Sequence, residues 1–149
     1  MLDEYIHWIG LDLAFQDIDA ELDGLPGDYA PPRGALFVAE DEGHLVAMIG
    51  LRPLDERGCR AGAYRAQTAE MKRLFVRPEA RGRGLAKQLI ERVLDQARQL
   101  AYTEIRLDTL PMMADAQALY AAVGFRDIAP YYDTPIAGTR FMALRLLSE

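Results

Sequence analysis

Apolar positions recur at two different spacings along this chain, and the change from one to the other predicts its elements. From Asp3 to Leu25, Ile6, Ile9, Leu13, Ile18 and Leu22 keep roughly helical spacing before Pro26 and Gly27, which predicts one or two amphipathic helices. Gly27 to Gly34 holds Asp28, Pro31 and Pro32 and reads as turn. Ala35 to Glu40 and His44 to Leu51 are short apolar runs around Asp41-Glu42-Gly43, which predicts a β-hairpin. Pro53 to Gly62 reads as a polar connection, and Thr68 to Val76 as a third strand that Pro78 ends. Between Gly84 and Leu100, Leu85, Leu89, Val93, Ala97 and Leu100 recur every three or four residues among Lys87, Glu91, Arg92, Asp95 and Arg98, the pattern of one long amphipathic helix. Glu104 to Asp108 alternates as a strand, Met112 to Val123 reads as a helix closed by Gly124, and Phe125 to Ala129 and Arg140 to Leu147 read as final strands. Strands alternating with helices imply an α/β fold with a mixed sheet.

At 149 residues, half of them hydrophobic, the chain fits one domain over residues 1–149. The net charge of -6 argues against broad contact with a nucleic-acid backbone, which depends on many cations. The basic residues are uneven, however. Lys72, Arg73, Arg77, Arg81 and Arg83 crowd one stretch, where either a solvated face or a docking place for a small polyanion results. Cys59 stands alone, so no internal disulfide forms, and His7 and His44 lack neighbours at metal-ligand spacing. Acidic residues near Met1 and the lack of an apolar run near the ~20 residues of a membrane span lead us to expect a cytoplasmic protein without membrane partners.

The candidate chemistry lies in Val76-Arg77-Pro78-Glu79-Ala80-Arg81-Gly82-Arg83-Gly84-Leu85-Ala86, between a strand and the long helix. Gly82 and Gly84 permit a tight turn, the first helical amides have no intrahelical acceptor, and Arg81 and Arg83 add charge-assisted donors. A diphosphate suits such a nest; an Arg/Gly surface turn is the plainer alternative. A P-loop is excluded because Leu85 and Ala86 follow Gly84 where Lys and Ser/Thr are needed. A dinucleotide fingerprint would need glycine at Lys87.

Arg81-x-x-Gly84-x-Ala86 resembles the acetyl-CoA loop of GNAT-type N-acetyltransferases, Gln/Arg-x-x-Gly-x-Gly/Ala. Ala116-x-x-Leu119-Tyr120-x-x-x-Gly124-Phe125 resembles that family's second motif. The similarity runs from about Ala35 to Leu147. It implies a single-domain, mostly antiparallel sheet flanked by helices, with acetyl-CoA as donor. It further implies that Arg81, Gly82, Arg83, Gly84, Leu85 and Ala86 hold the pyrophosphate, and that Leu74, Phe75 and Val76 pair with the pantetheine amides. Tyr120 stands where the family often has a tyrosine that protonates the departing thiolate, and Glu70 at the offset of a catalytic glutamate in some members. Glu70 pairing with a neighbouring arginine, and Tyr120 packing in the core, are the plainer readings. Met113 departs from the usual asparagine, so Asp108, Thr109 or a backbone group would have to supply that polar interaction. Many relatives open with a strand for which Met1 to Asp3 leave no room, which allows a sheet without its first edge strand.

For a small or peptide amine acceptor, Tyr131 and Tyr132, with Tyr29, Arg33 and the acidic hairpin turn, could line a pocket suited to a cation. A homodimer contact is the other use for the two tyrosines. The function expected is direct acetyl transfer to a primary amine; the rival is a non-catalytic acyl-CoA-binding module.

Overall fold

The computed structural model describes residues 29–54 and 67–146. The expected N-terminal helices, the allowance for a missing first strand, most of the polar connection and Cys59 all lie outside the described residues. Among those described, six strands form one sheet in the order β1-β2-β3-β4-β6-β5. The strands are β1 (Ala35–Asp41), β2 (His44–Pro53), β3 (Thr68–Val76), β4 (Glu104–Thr109), β5 (Arg126–Asp127) and β6 (Arg140–Arg145). Two α-helices among the described residues accompany them, α1 (Leu85–Gln99) and α2 (Ala114–Val123). Only β3 and β4 run parallel; every other pairing is antiparallel, so the sheet is mixed and mostly antiparallel as expected.

Local chemistry accounts for several boundaries. Glu42 and Gly43 both take positive φ, 50° and 81°, giving the two-residue turn whose twist matches the β1–β2 hairpin. On α1, Leu89, Ile90, Val93, Leu94 and Ala97 form one buried stripe against β1, β2 and β3. Each fully buried leucine, isoleucine or valine of that stripe contributes roughly 1.5–3 kcal/mol. The strand expected from Phe125 to Ala129 is only two residues long, because Ala129 and Pro130 already lead into the loop before β6.

The sheet's two faces differ in kind. Ala47, Ile49, Leu51, Ala69, Met71, Ile105 and Leu107 meet the helices in the main core. By alternation, Arg52, Glu70, Lys72, Glu104, Arg106 and Asp108 face the other way, and Glu70, Lys72, Glu104 and Arg106 are nonetheless buried. Burying charge is costly unless it is paired, and this face is accordingly built from ion pairs.

Gly50 shows how closely that face is covered. A Cβ at position 50 would lie 2.6 and 2.8 Å from the Tyr29 ring, so only glycine lets the buried ring lie on β2. Gly50→Ala should destabilise the fold by about 1–3 kcal/mol, the usual range for overpacking. The same change should cost much less in a Tyr29→Ala background. Denaturant unfolding of the four proteins measures the coupling, and an equal loss in both backgrounds would refute the contact.

Candidate functional site

Parallel pairing of β3 with β4 covers only Thr68–Glu70 against Glu104–Arg106. Beyond that point β3 continues to Val76 and β4 to Thr109 without pairing to each other, so the sheet opens as a fork. Register also slips between Met48 and Gly50: the two steps from 48 to 50 on β2 face the three from 72 to 75 on β3. Arg73, at φ 64°, sits inside this β-bulge. The extra residue inverts the alternation, so that Leu74 and Val76, rather than Arg73 and Phe75, pack toward the core of Met71.

A cleft of about 300 Å³ lies along the outer part of the fork, lined by Leu74, Phe75, Val76, Arg81, Ala86, Met112, Met113, Asp115, Ala116, Leu119 and Tyr120. It therefore joins the end of β3, the glycine loop and one face of α2. Tyr120 is buried and meets Phe125 edge-to-face, with ring centroids 5.9 Å apart. Gly82 and Gly84 both adopt positive φ, and Gly84 is the N-cap of α1. The first intrahelical bond runs from the Gln88 amide to the Gly84 carbonyl, so the amides of Leu85, Ala86 and Lys87 lie ahead of the helical ladder. Arg81 lines the cleft and donates from Nε to the Val76 carbonyl at 3.0 Å. Arg83 points to the β1–β2 turn, where Nη1 meets Asp41 Oδ2 at 2.8 Å. The acidic turn thus stands beside the glycine loop instead of the aromatic loop.

On the charged face, Glu70 has a side chain only 3% exposed. Its Oε1 accepts from Arg52 Nε at 2.9 Å and Nη2 at 2.8 Å, and its Oε2 accepts from the Tyr131 hydroxyl at 2.6 Å. Four acceptor positions on a carboxylate minus these three bonds leave one on Oε2. The arginine pairing that is the plainer reading of Glu70 is present. Tyr131 is 1% exposed, and burial, followed by the nearby Glu70 charge, pushes its phenol well above its usual value. It remains a proton-bearing donor. It is also too deeply buried to meet a second copy, so the dimer-contact reading does not hold for Tyr131.

Tyr132 donates to Asp108 Oδ2 at 2.6 Å, and Lys72 Nζ lies 3.5 Å from Asp108 Oδ1 across the opening of the fork. Burial works to raise the Asp108 carboxyl, but Lys72, Tyr132 and Arg73 outweigh it and hold the group below the usual carboxylate range. Asp108, one candidate to stand in for the asparagine that Met113 replaces, is thus already engaged by Lys72 and Tyr132. The Thr109 hydroxyl, another candidate, is buried with no hydrogen-bond partner among the described residues.

Tyr29, Tyr131, Tyr132 and Glu70 therefore share one side of the sheet. Arg33 does not join them. Its guanidinium stacks on the Tyr102 ring, with Cζ 5.1 Å from the centroid, and the Tyr102 hydroxyl donates to its carbonyl at 2.6 Å. Tyr102 belongs to the helix-side core, which draws Arg33 away from the aromatic loop. Lys72, which the basic stretch assigns to a solvated face or a polyanion dock, is instead buried against Asp108, and Arg52, which belongs to no motif, holds Glu70; their alternation with Leu51 and Met71 was the available sign of a buried charged face.

Residues 4–125 match the model of the Acetyltransferase (GNAT) family. An uncharacterized N-acetyltransferase of Schizosaccharomyces pombe is 36% identical over 98% of this chain and 85% of its own length. The fold is similar to that of a GNAT-family acetyltransferase from Staphylococcus aureus, with TM-score 0.71 and 23% identity over 88% of this chain and 79% of that one. It is also similar to a Thermoplasma acidophilum N-acetyltransferase in complex with coenzyme A, with TM-score 0.64 and 18% identity over 85% and 70% of the two chains. With a forked mixed sheet, a glycine turn opening α1 and a match across most of its length, the chain belongs to the GNAT family of acetyltransferases.

Proposed function

We propose that this enzyme transfers the acetyl group of acetyl-CoA directly to a primary amine, small or peptidic. The observation that carries the reading is that Leu74, Phe75, Val76, Arg81, Ala86 and Tyr120 line one cleft. Its ends suit the two ends of the donor. Amides of Leu85 and Ala86, with Gly82, Gly84, Arg81 and Arg83 around them, suit a diphosphate. The β3 edge beyond Glu70, unpaired with β4, suits the amides of an extended pantetheine arm, as an added strand would.

Chemistry then falls near the opening of the fork. The acceptor approaches from the charged face, where half-buried Tyr132 supplies an aromatic wall and the buried Tyr131 ring backs it edge-to-face. An alkyl ammonium must first lose a proton, and the remaining acceptor position on Glu70 Oε2 supports a role as base, directly or through water. The free amine attacks the thioester carbon, the C–S bond breaks as the tetrahedral intermediate collapses, Tyr120 gives its proton to the leaving sulfur, and the surplus proton shed by the amide nitrogen returns through solvent to the Tyr120 phenolate. Both substrates being held together, no acyl-enzyme is required.

Thiol release from acetyl-CoA with a panel of amines tests this reading. We expect release that depends on one class of amine; tight CoA binding with no turnover on any amine would favour the non-catalytic module. The Asp41–Arg83 pair gives a finer check. A half-exposed ion pair is worth about 0.2–1 kcal/mol, so Asp41→Asn, which frees Arg83 for the diphosphate, should tighten CoA binding by up to about five-fold at low salt. Calorimetry showing weaker binding would instead mean that Asp41 orients Arg83.

A further inference from the structure

α2 begins without the usual side-chain cap: Met113 stands at its N-cap and makes no capping hydrogen bond. Gln117, one turn inside the helix, reaches back instead. Its Nε2 donates to the Leu110 carbonyl at 2.9 Å, fixing the turn that carries Met112 and Met113 along the cleft. Its Oε1 accepts from Arg140 Nη1 at 3.3 Å. Arg140 in turn grips Asp127 with two bonds, Nε to Oδ1 at 2.8 Å and Nη2 to Oδ2 at 3.0 Å. Asp127 and Arg140 end the strands on either side of the loop 128–139, which holds Tyr131 and Tyr132 over the charged face. Tyr120 follows Gln117 by three residues on the same helix, and lines the cleft.

We propose that Gln117 is a positioning residue that couples the donor cleft to the aromatic loop on the acceptor side. One side chain is bonded to the turn that leads into the cleft-lining Met112 and Met113, and to the arginine that closes the base of the loop. Ordering of the cleft wall by a bound donor is thereby transmitted to Tyr131 and Tyr132. The inference rests on the functional reading above, and its test separates the two. No proton or group passes through the amide; it acts by holding geometry.

The primary measurement is amide hydrogen exchange with and without coenzyme A. In the wild type, coenzyme A should slow exchange in the cleft-lining turn and also in residues 128–139. In Gln117→Leu, protection of the turn should persist while that of the loop is lost. Coenzyme A that binds the wild type without protecting the loop would overturn the coupling and leave the functional reading intact, whereas no binding at all would overturn both.

Kinetics on an amine accepted by the wild type give a second readout. Loss of both hydrogen bonds should lower kcat in Gln117→Leu roughly ten-fold and raise the acceptor KM. Gln117→Glu keeps the acceptor for Arg140 but loses the donor to Leu110, so it should restore the acceptor KM while kcat stays low. Identical behaviour of the two variants, or wild-type kinetics in both, would count against the proposal. Should the leucine variant fold poorly, the glutamate variant alone still decides through its KM-against-kcat split.

Discussion

Gly84→Val should lower the affinity for coenzyme A by about 100-fold or more, equivalent to roughly 2.8 kcal/mol. Gly84 has φ 76°, and a Cβ built there meets nothing within 4 Å. The substitution therefore creates no clash inside the protein, and its effect has two other sources. A β-branched residue held at positive φ is strained by about 1–3 kcal/mol, which favours a relaxed turn with its amides aimed elsewhere. The new side chain also occupies the open space over the start of α1, where a phosphate would have to approach the Leu85 and Ala86 amides. Gly43 provides the control, since it has φ 81° with equally open surroundings but sits in the hairpin turn. Gly43→Val should lose similar stability and keep its affinity within about five-fold, the most that disturbing the neighbouring Asp41–Arg83 pair would change it. Calorimetry giving Gly84→Val an affinity within a few-fold of wild type would remove the glycine loop from the donor site.

The comparison of these two glycines shows what the chain discloses locally. Gly43 and Gly84 were both legible because a turn needs positive φ within a few residues, and the α1 stripe was legible because helix period and buried face are one pattern. Contacts between distant residues were not. Arg83 reads as a cation free for phosphate, whereas Asp41, 42 positions earlier, already competes for its guanidinium. Arg33 reads as part of an acceptor pocket until Tyr102, 69 positions later, captures it.

The charged face is the more instructive case. Thr68-Ala69-Glu70-Met71-Lys72 and Glu104-Ile105-Arg106-Leu107-Asp108 alternate as half-exposed strands would, with the polar half expected in water. Burial follows from the aromatic loop, whose two hydroxyls reach Glu70 and Asp108, and from cations that arrive from neighbouring strands. The bulge at Arg73 left a trace in the three-residue step from Met71 to Leu74, but only pairing with β2 distinguishes it from an irregular strand. Gln117 belongs to no motif, and its two partners lie in separate elements.

Tyr120→Phe should lower turnover by about 10²–10⁴-fold, the usual contribution of a general acid. The ring is buried and packs edge-to-face on Phe125, an arrangement that phenylalanine can keep with nearly the same volume. Stability should therefore change by less than about 1.5 kcal/mol, and affinity for acetyl-CoA should remain near that of wild type. A loss confined to kcat identifies an interaction made chiefly in the transition state. Tyr131→Phe is the informative contrast. Its phenol is held well above its ordinary pKa by burial and by Glu70, so it is a poor source of protons, and its loss should act through the loop and raise the acceptor KM. A donor with a more acidic thiol sharpens the distinction, because a weakly basic thiolate needs less protonation as it leaves. The Tyr120→Phe deficit should shrink with such a donor, whereas the Tyr131→Phe deficit should not. Equal turnover of wild type and Tyr120→Phe on acetyl-CoA would return Tyr120 to the core as a packing residue, and a deficit independent of the leaving thiol would assign it to positioning.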